Sequence, residues 1–181
     1  MSASPRNWRD SFWRVWFCIH VAAILLADAV PSYPAWLYKP EGSPLHFLQL
    51  LQDAYLSMYN DPFVQEDLAP RWIRPLFAIE LLFQLPVAAY ASYQLRGKAG
   101  TTGPLELLLL CYAFEVALST LLCVNDVFYW DPVEYPPEVK NDFIFKLYGP
   151  WLVTPLLLFA DMYWRLFSRV SSGSDAVKKA Q

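Results

Sequence analysis

The chain has 181 residues, of which 56% are hydrophobic, 17% aromatic and 17% charged, with a formal net charge of −3. A soluble domain carries about 25% charged residues, and nucleic-acid binders show a basic stripe that 14 Lys and Arg against 17 Asp and Glu do not supply. The apolar residues fall in long blocks, which points to a membrane protein.

A spanning helix needs about 20 mostly apolar residues. The first such block covers 12–30. Arg6, Arg9 and Arg14 precede its apolar run, which ends Ala27-Asp28-Ala29, an A-x-A pattern that also fits a cleaved signal peptide. Pro31, Pro34, Pro40 and Pro44 then keep the chain irregular. The run 46–60 (HFLQLLQDAYLSMYN) places Phe47, Leu48, Leu50, Leu51, Ala54, Tyr55 and Met58 at period 3.6. That spacing predicts an amphipathic helix at the membrane interface or capping the bundle, stopped by Asp61-Pro62. The second block covers 73–95, the third 104–124 and the fourth 145–167. An acidic, proline-rich loop (DPVEYPPEVKND) joins the last two, and a polar, flexible tail follows Ser168. The expected fold is an all-α membrane protein, a four-transmembrane-helix bundle over 1–168 with a short amphipathic lumenal helix and a cytosolic tail over 169–181.

Basic residues set the orientation. Arg6, Arg9, Arg14, Arg96, Lys98, Arg165, Arg169, Lys178 and Lys179 would share one side, and Lys39, Arg71, Arg74, Lys140 and Lys146 the other. The richer side is the cytosolic one, so both termini are expected there. Lys178 and Lys179, fourth and third from the last residue, resemble a dilysine retrieval signal for the endoplasmic reticulum, which is an address and not an anchor.

Acidic residues inside the blocks carry the functional argument, because a carboxylate at a helix centre costs roughly 2.5–3.5 kcal/mol on insertion scales. Asp161 lies one turn from Arg165 and has a structural reason to be there. Glu115 fits either a protonated interhelical bond or a cavity wall. Asp28 and Glu80, with Gln84 one turn beyond Glu80, fall in the lumenal halves of their helices. Two carboxyls in low dielectric cannot both ionise cheaply, so one holds a proton and bonds to the other. The remaining charge suits a cationic amphiphile, although a polar lock between helices, worth about 0.6 kcal/mol, accounts for the same residues.

Other motifs are missing. No nucleophile elbow, glycine-rich phosphate loop or metal-spaced His cluster occurs, and no cofactor or metal is expected. His20 and His46 stand apart. Cys18, Cys111 and Cys123 lie within apolar blocks and read as buried thiols. Pro86, Pro150 and Pro155 interrupt helices, as cavity openers or plain kinks.

The runs Asn60-Asp61-Pro62-Phe63-Val64-Gln65-Glu66 and Glu80-Leu81-Leu82-Phe83-Gln84-Leu85-Pro86 resemble the D-P-x-x-Q-E and E-L-x-F-Q-L-P patterns of the EXPERA family. Asp28, Ser119-Thr120-Leu121 and Tyr148-Gly149-Pro150-Trp151 are similar to further family positions, and the resemblance covers nearly the whole chain. It implies a pocket opening toward the bilayer in which Asp28 pairs with a ligand amine and Glu80 hydrogen-bonds to Asp28. Gln84 and Phe77 would line that pocket, with Glu115, Tyr148 and Trp151. Asp61 would hold the first loop. Trp151 and Ala113 replace a family tyrosine and threonine, which would alter ligand preference. The resemblance also implies an endoplasmic reticulum membrane protein that keeps its first helix, binds sterols and serves sterol homeostasis. Its implied partners are membrane lipids, a homodimer mate and a sterol-transporter protein. A sterol Δ8–Δ7 isomerase is the enzymatic alternative within the family. Leu76 stands where the isomerases carry a His, which argues against that chemistry, and Glu115 would be its second acid.

Overall fold

A computed structural model describes residues 7–65, 67–97 and 99–180, of which 173–180 are described by backbone alone. The chain forms helices and turns, with no extended strand among the described residues. Four helices are long and apolar enough to cross a membrane: α1 (Trp8–Asp28), α4 (Ile73–Gln94), α5 (Gly103–Val127) and α6 (Pro137–Ser172). Two helices, α2 (Ala35–Tyr38) and α3 (His46–Tyr59), lie between α1 and α4. Over an apolar 18-residue stretch of each, at most 33% is buried inside the protein. The outward faces are apolar, as side chains in contact with lipid tails must be.

α1 starts earlier than the apolar block because Asn7 and Asp10 cap it reciprocally. Asp10 accepts from the Asn7 backbone at 2.9 Å, and the Asn7 side chain accepts from the Asp10 N–H at 3.2 Å. The pair satisfies two groups that would otherwise lack partners at a helix start. α6 also starts early, on Pro137 at its first turn, where a missing N–H does no harm. The helix runs through the residues expected to form a loose tail, as far as Ala180. α3 stops at Asn60, which takes the left-handed conformation (φ 50°, ψ 40°) and donates its N–H to Leu56 at 2.8 Å. Asparagine tolerates that geometry well.

The spanning helices are not uniform. The last turn of α1 (Ile24–Asp28), the middle of α4 (Glu80–Gln84) and an early stretch of α6 (Asp142–Tyr148) are π-helical. Two of the three run into a proline, Pro86 two residues on and Pro150 likewise. Proline lacks an N–H and its ring clashes with the carbonyl four residues earlier. A wider turn relieves that clash, and such bulges recur at functional sites.

The described chain falls into two compact units. One spans Arg14–Ser92 and contains most of α1 and α4 with α2 and α3. Its loop core is Val30, Tyr38 and Leu48, with Tyr33 and Leu45 packed alongside. The other comprises the start of α1 through Trp13 and the chain from Tyr93 onward. There α5 and α6 pack along their lengths, burying Leu105, Leu109, Tyr112, Ala113 and Val116 on one face of α5 and Leu158 and Met162 on α6. The opposite face of α5 shows Leu107, Phe114, Leu118 and Leu121 to the bilayer.

The thiols depart from expectation. Cys18 and Cys111 are exposed and Cys123 is half-buried. An apolar block in a membrane turns one face to lipid, so a cysteine within it need not be covered by protein.

Candidate acidic site and the charged network

In the Arg14–Ser92 unit, three carboxyl groups from three separate segments converge. Asp28 ends the π-helical turn of α1, and Glu80 begins the π-helical turn of α4. Their side chains are hydrogen-bonded to each other, and Asp61 is near enough to act on Asp28 electrostatically. A bond between two carboxyl groups needs a proton, so the pair carries at most one negative charge and titrates as a unit.

Local sequence explains the placement. Ala29 N–H reaches back five residues to the Ile24 carbonyl at 2.8 Å, and the Tyr33 hydroxyl donates to the Leu25 carbonyl at 2.8 Å. These bonds close the helix at Asp28. In α4 the Leu85 N–H bonds the Glu80 carbonyl, again five residues back. Gln84 ends that turn and is buried. Phe77, half-buried, lies one turn before Glu80.

Asp61 is 2% exposed and caps the short 3₁₀ turn Pro62–Val64. It accepts from the Phe63 N–H at 2.9 Å and from the Tyr55 hydroxyl at 2.6 Å. Gln65 donates to its backbone carbonyl at 3.1 Å. Glu66, the last residue of the loop motif, lies outside the described residues. Burial, reinforced by the charge of Asp61 and its hydrogen bond, raises the Tyr55 phenol well above its ordinary value, and Asp28 adds to the effect. Tyr55 therefore belongs to the cluster. Its position in a 3.6-residue pattern marked it only as one more apolar residue of α3, and sequence offered no sign that its hydroxyl reaches Asp61.

Glu115, Tyr148 and Trp151 belong to the other unit. Glu115 is half-buried in α5. Tyr148 ends the π-helical stretch of α6 and stacks on Phe143 with ring centres 6.1 Å apart. The carbonyl of Trp151 faces the Thr120 hydroxyl at 3.5 Å. The side chains of Lys178 and Lys179 lie outside the described residues.

The same unit holds a second charged assembly, of which sequence revealed one pair. Arg165 grips Asp161 through two bonds, at 2.8 and 3.2 Å. Asp161 also accepts from Arg9 at 2.6 Å and from the Trp13 indole at 2.7 Å. Arg165 reaches on to Asp10 at 2.6 Å and to the Thr101 hydroxyl at 2.9 Å. Thr101 donates to Glu106 at 2.6 Å, and Arg169 holds Glu106 at 2.6 and 2.9 Å. Three acids and three bases thus balance. Glu106, fully buried, is affordable inside α5 because Arg169 and Thr101 satisfy it. The assembly is a clamp between the start of α1, the start of α5 and α6, and every member named has a partner.

Comparison with known proteins gives the family. The EXPERA profile (EXPanded EBP superfamily) matches residues 47–162. Efficient mitochondria targeting-associated protein 19 of Schizosaccharomyces pombe is 32% identical over 158 residues, covering 87% of this chain and 76% of that protein. Sigma intracellular receptor 2 of Macaca fascicularis and that of Homo sapiens are each 25% identical over 157 residues, covering 82% of this chain and 83% of the relative. Glu80, Gln84 and Asp61 fall within the profile match, and Asp28 precedes it. With its four membrane-spanning helices and its carboxyl-bearing π turns, the chain is a multi-pass membrane protein that belongs to the EXPERA family.

Proposed function

We propose that the chain is a receptor or carrier that binds sterols and cationic amphiphiles in the endoplasmic reticulum membrane. One observation carries the reading: Asp28 and Glu80, each on a π-helical turn of a spanning helix, are hydrogen-bonded to each other with Asp61 close by. A helix end and a helix middle keep this acidity at an energetic disadvantage, and an ammonium group with an apolar body would compensate it. Asp28 is the counter-ion, Glu80 its proton-bearing neighbour, and Gln84 and Phe77 are walls. Glu115, Tyr148 and Trp151 are further wall residues on the strength of the family resemblance. Retrieval through Lys178 and Lys179, and partnership with a sterol-transporting protein or a second copy, belong to the same reading. Catalysis of double-bond migration is disfavoured by Leu76.

The test is binding of a radiolabelled amine amphiphile to purified protein. Asp28→Asn should weaken it by about 3 kcal/mol, roughly a hundredfold, while the melting temperature stays near that of wild type. Glu80→Gln should weaken it far less, because an amide N–H can replace the donated proton. Unchanged affinity in the Asp28 variant rejects the site.

A second reading has its own support, since the relative named for efficient mitochondria targeting shares 32% identity, against 25% for the receptors. In that reading the chain assists targeting of proteins to mitochondria. Cells lacking it would then accumulate unimported precursors, and Asp28→Asn would restore import fully.

A further inference from the structure

α3 presents three faces. Leu48 and Tyr55 turn toward protein, the first into the loop core and the second onto Asp61. Asp53 and Ser57 form an exposed polar edge. Between these faces, Phe47, Leu50, Leu51 and Met58 occupy one arc about 100° wide, and they are 48–72% exposed. Leu68 and Trp36 nearby in the chain are also exposed.

What covers this arc follows from where α3 sits and from its charge. α3 packs against Ile24–Asp28, the last turn of a spanning helix. Its depth along the membrane normal is therefore that of a helix end, at the boundary between acyl chains and headgroups. Leu25 and Leu26 of that same turn are exposed too, so the apolar surface of the span continues to the level of α3. Interfacial helices usually carry Lys and Arg that draw anionic lipid. Here no Lys or Arg occurs between Lys39 and Arg71, whereas Glu41, Asp53, Asp61, Glu66 and Asp67 do. A second copy is a poorer occupant. Four such side chains, each about half exposed, present on the order of 400 Å², against roughly 800 Å² per partner in a stable pair.

We infer that α3 is an interfacial helix seated by its Phe47–Leu50–Leu51–Met58 arc in a neutral, zwitterionic lipid surface, and that anionic lipid weakens this seating. Apolar insertion alone drives the contact, and the acidic loop around it repels a negative leaflet. Because Tyr55 rides on the same helix, the lipid surface is mechanically linked to Asp61.

The test uses the full chain with Cys18, Cys111 and Cys123 replaced by alanine, reconstituted in phosphatidylcholine nanodiscs. A nitrobenzoxadiazole label is placed on Leu51→Cys and, separately, on Ser57→Cys. Shallow nitroxide-bearing phosphatidylcholine should quench the position-51 label several-fold more than aqueous iodide does, and the position-57 label should show the reverse. Mixing in phosphatidylserine should reduce nitroxide quenching at position 51. If position 51 fails to fold, Phe47→Cys reports on the same arc. Iodide quenching at 51 equal to that at 57 overturns the inference, because the arc then faces water. Quenching by neither agent also overturns it, since protein then covers the arc. Undiminished nitroxide quenching in phosphatidylserine removes the charge argument and with it the claimed lipid preference.

Discussion

Tyr55 donates to Asp61 at 2.6 Å, and a hydrogen bond to a charged group is worth about 1.5–3 kcal/mol. Tyr55→Phe should therefore lower unfolding free energy by about that amount, read as a drop in melting temperature in detergent. Alkali should act at the same place. The folded state holds the phenolic proton more tightly than the unfolded chain, whose tyrosines titrate near 10. The stability linked to it is intact below about pH 10 and falls as pH rises beyond that, and Tyr55→Phe should flatten this fall. Asp161 joins Arg9, Trp13 and Arg165, so Asp161→Asn should destabilise the protein by about 3–5 kcal/mol, also measurable by melting. Legibility differed sharply among these residues. Asp161 and Arg165 are four apart on one helix, so their contact follows from helical spacing alone. Arg9 is 152 residues from Asp161 and Glu106 is 63 from Arg169, and no local rule connects them. Asp28 and Glu80 were legible as candidates because membrane burial makes any carboxylate conspicuous.

Among the elements, α3 was read nearly to its ends, because a 3.6-residue pattern over fourteen residues is hard to mistake. The spanning helices were located by their apolar blocks. Their ends were not, since the capping pair at Asn7 and Asp10 and the prolines at 136 and 137 carry helix into charged sequence. The π turns were invisible. Prolines at 86 and 150 announced a disturbance, and only backbone geometry shows that the helix absorbs it by widening. Pro86→Ala removes the clash that favours the wide turn. The variant should melt at or above the wild-type temperature and bind the amine amphiphile more weakly, because Glu80 would turn away from Asp28. Unchanged affinity with raised stability would show that the π turn is merely tolerated.

For the whole molecule, we propose that both chain ends face the cytosol, which an even number of spans allows and the concentration of Lys and Arg favours. An engineered glycosylation acceptor in 131–136 should be modified in microsomes, and one in 97–102 should not. The reverse pattern would invert the orientation. The number of crossings was legible because hydrocarbon thickness sets a length that sequence can meet or fail. The clamp of three acids and three bases was not, because it closes among residues that only the fold assembles. The wide turns also bear on how such a chain tolerates change in length. A π turn is the form a helix takes on when it accommodates one extra residue. Loss of a single residue within 80–84 or 142–148 would let an ordinary helix re-form, and the segments on either side would keep both their places along the membrane and the direction they face, because a π turn closes with about one residue more than an α turn. One-residue deletions at these points would thus give viable proteins whose lipid-facing and protein-facing sides stay in register, whereas the same loss elsewhere in a span would turn one half of the helix by about 100°.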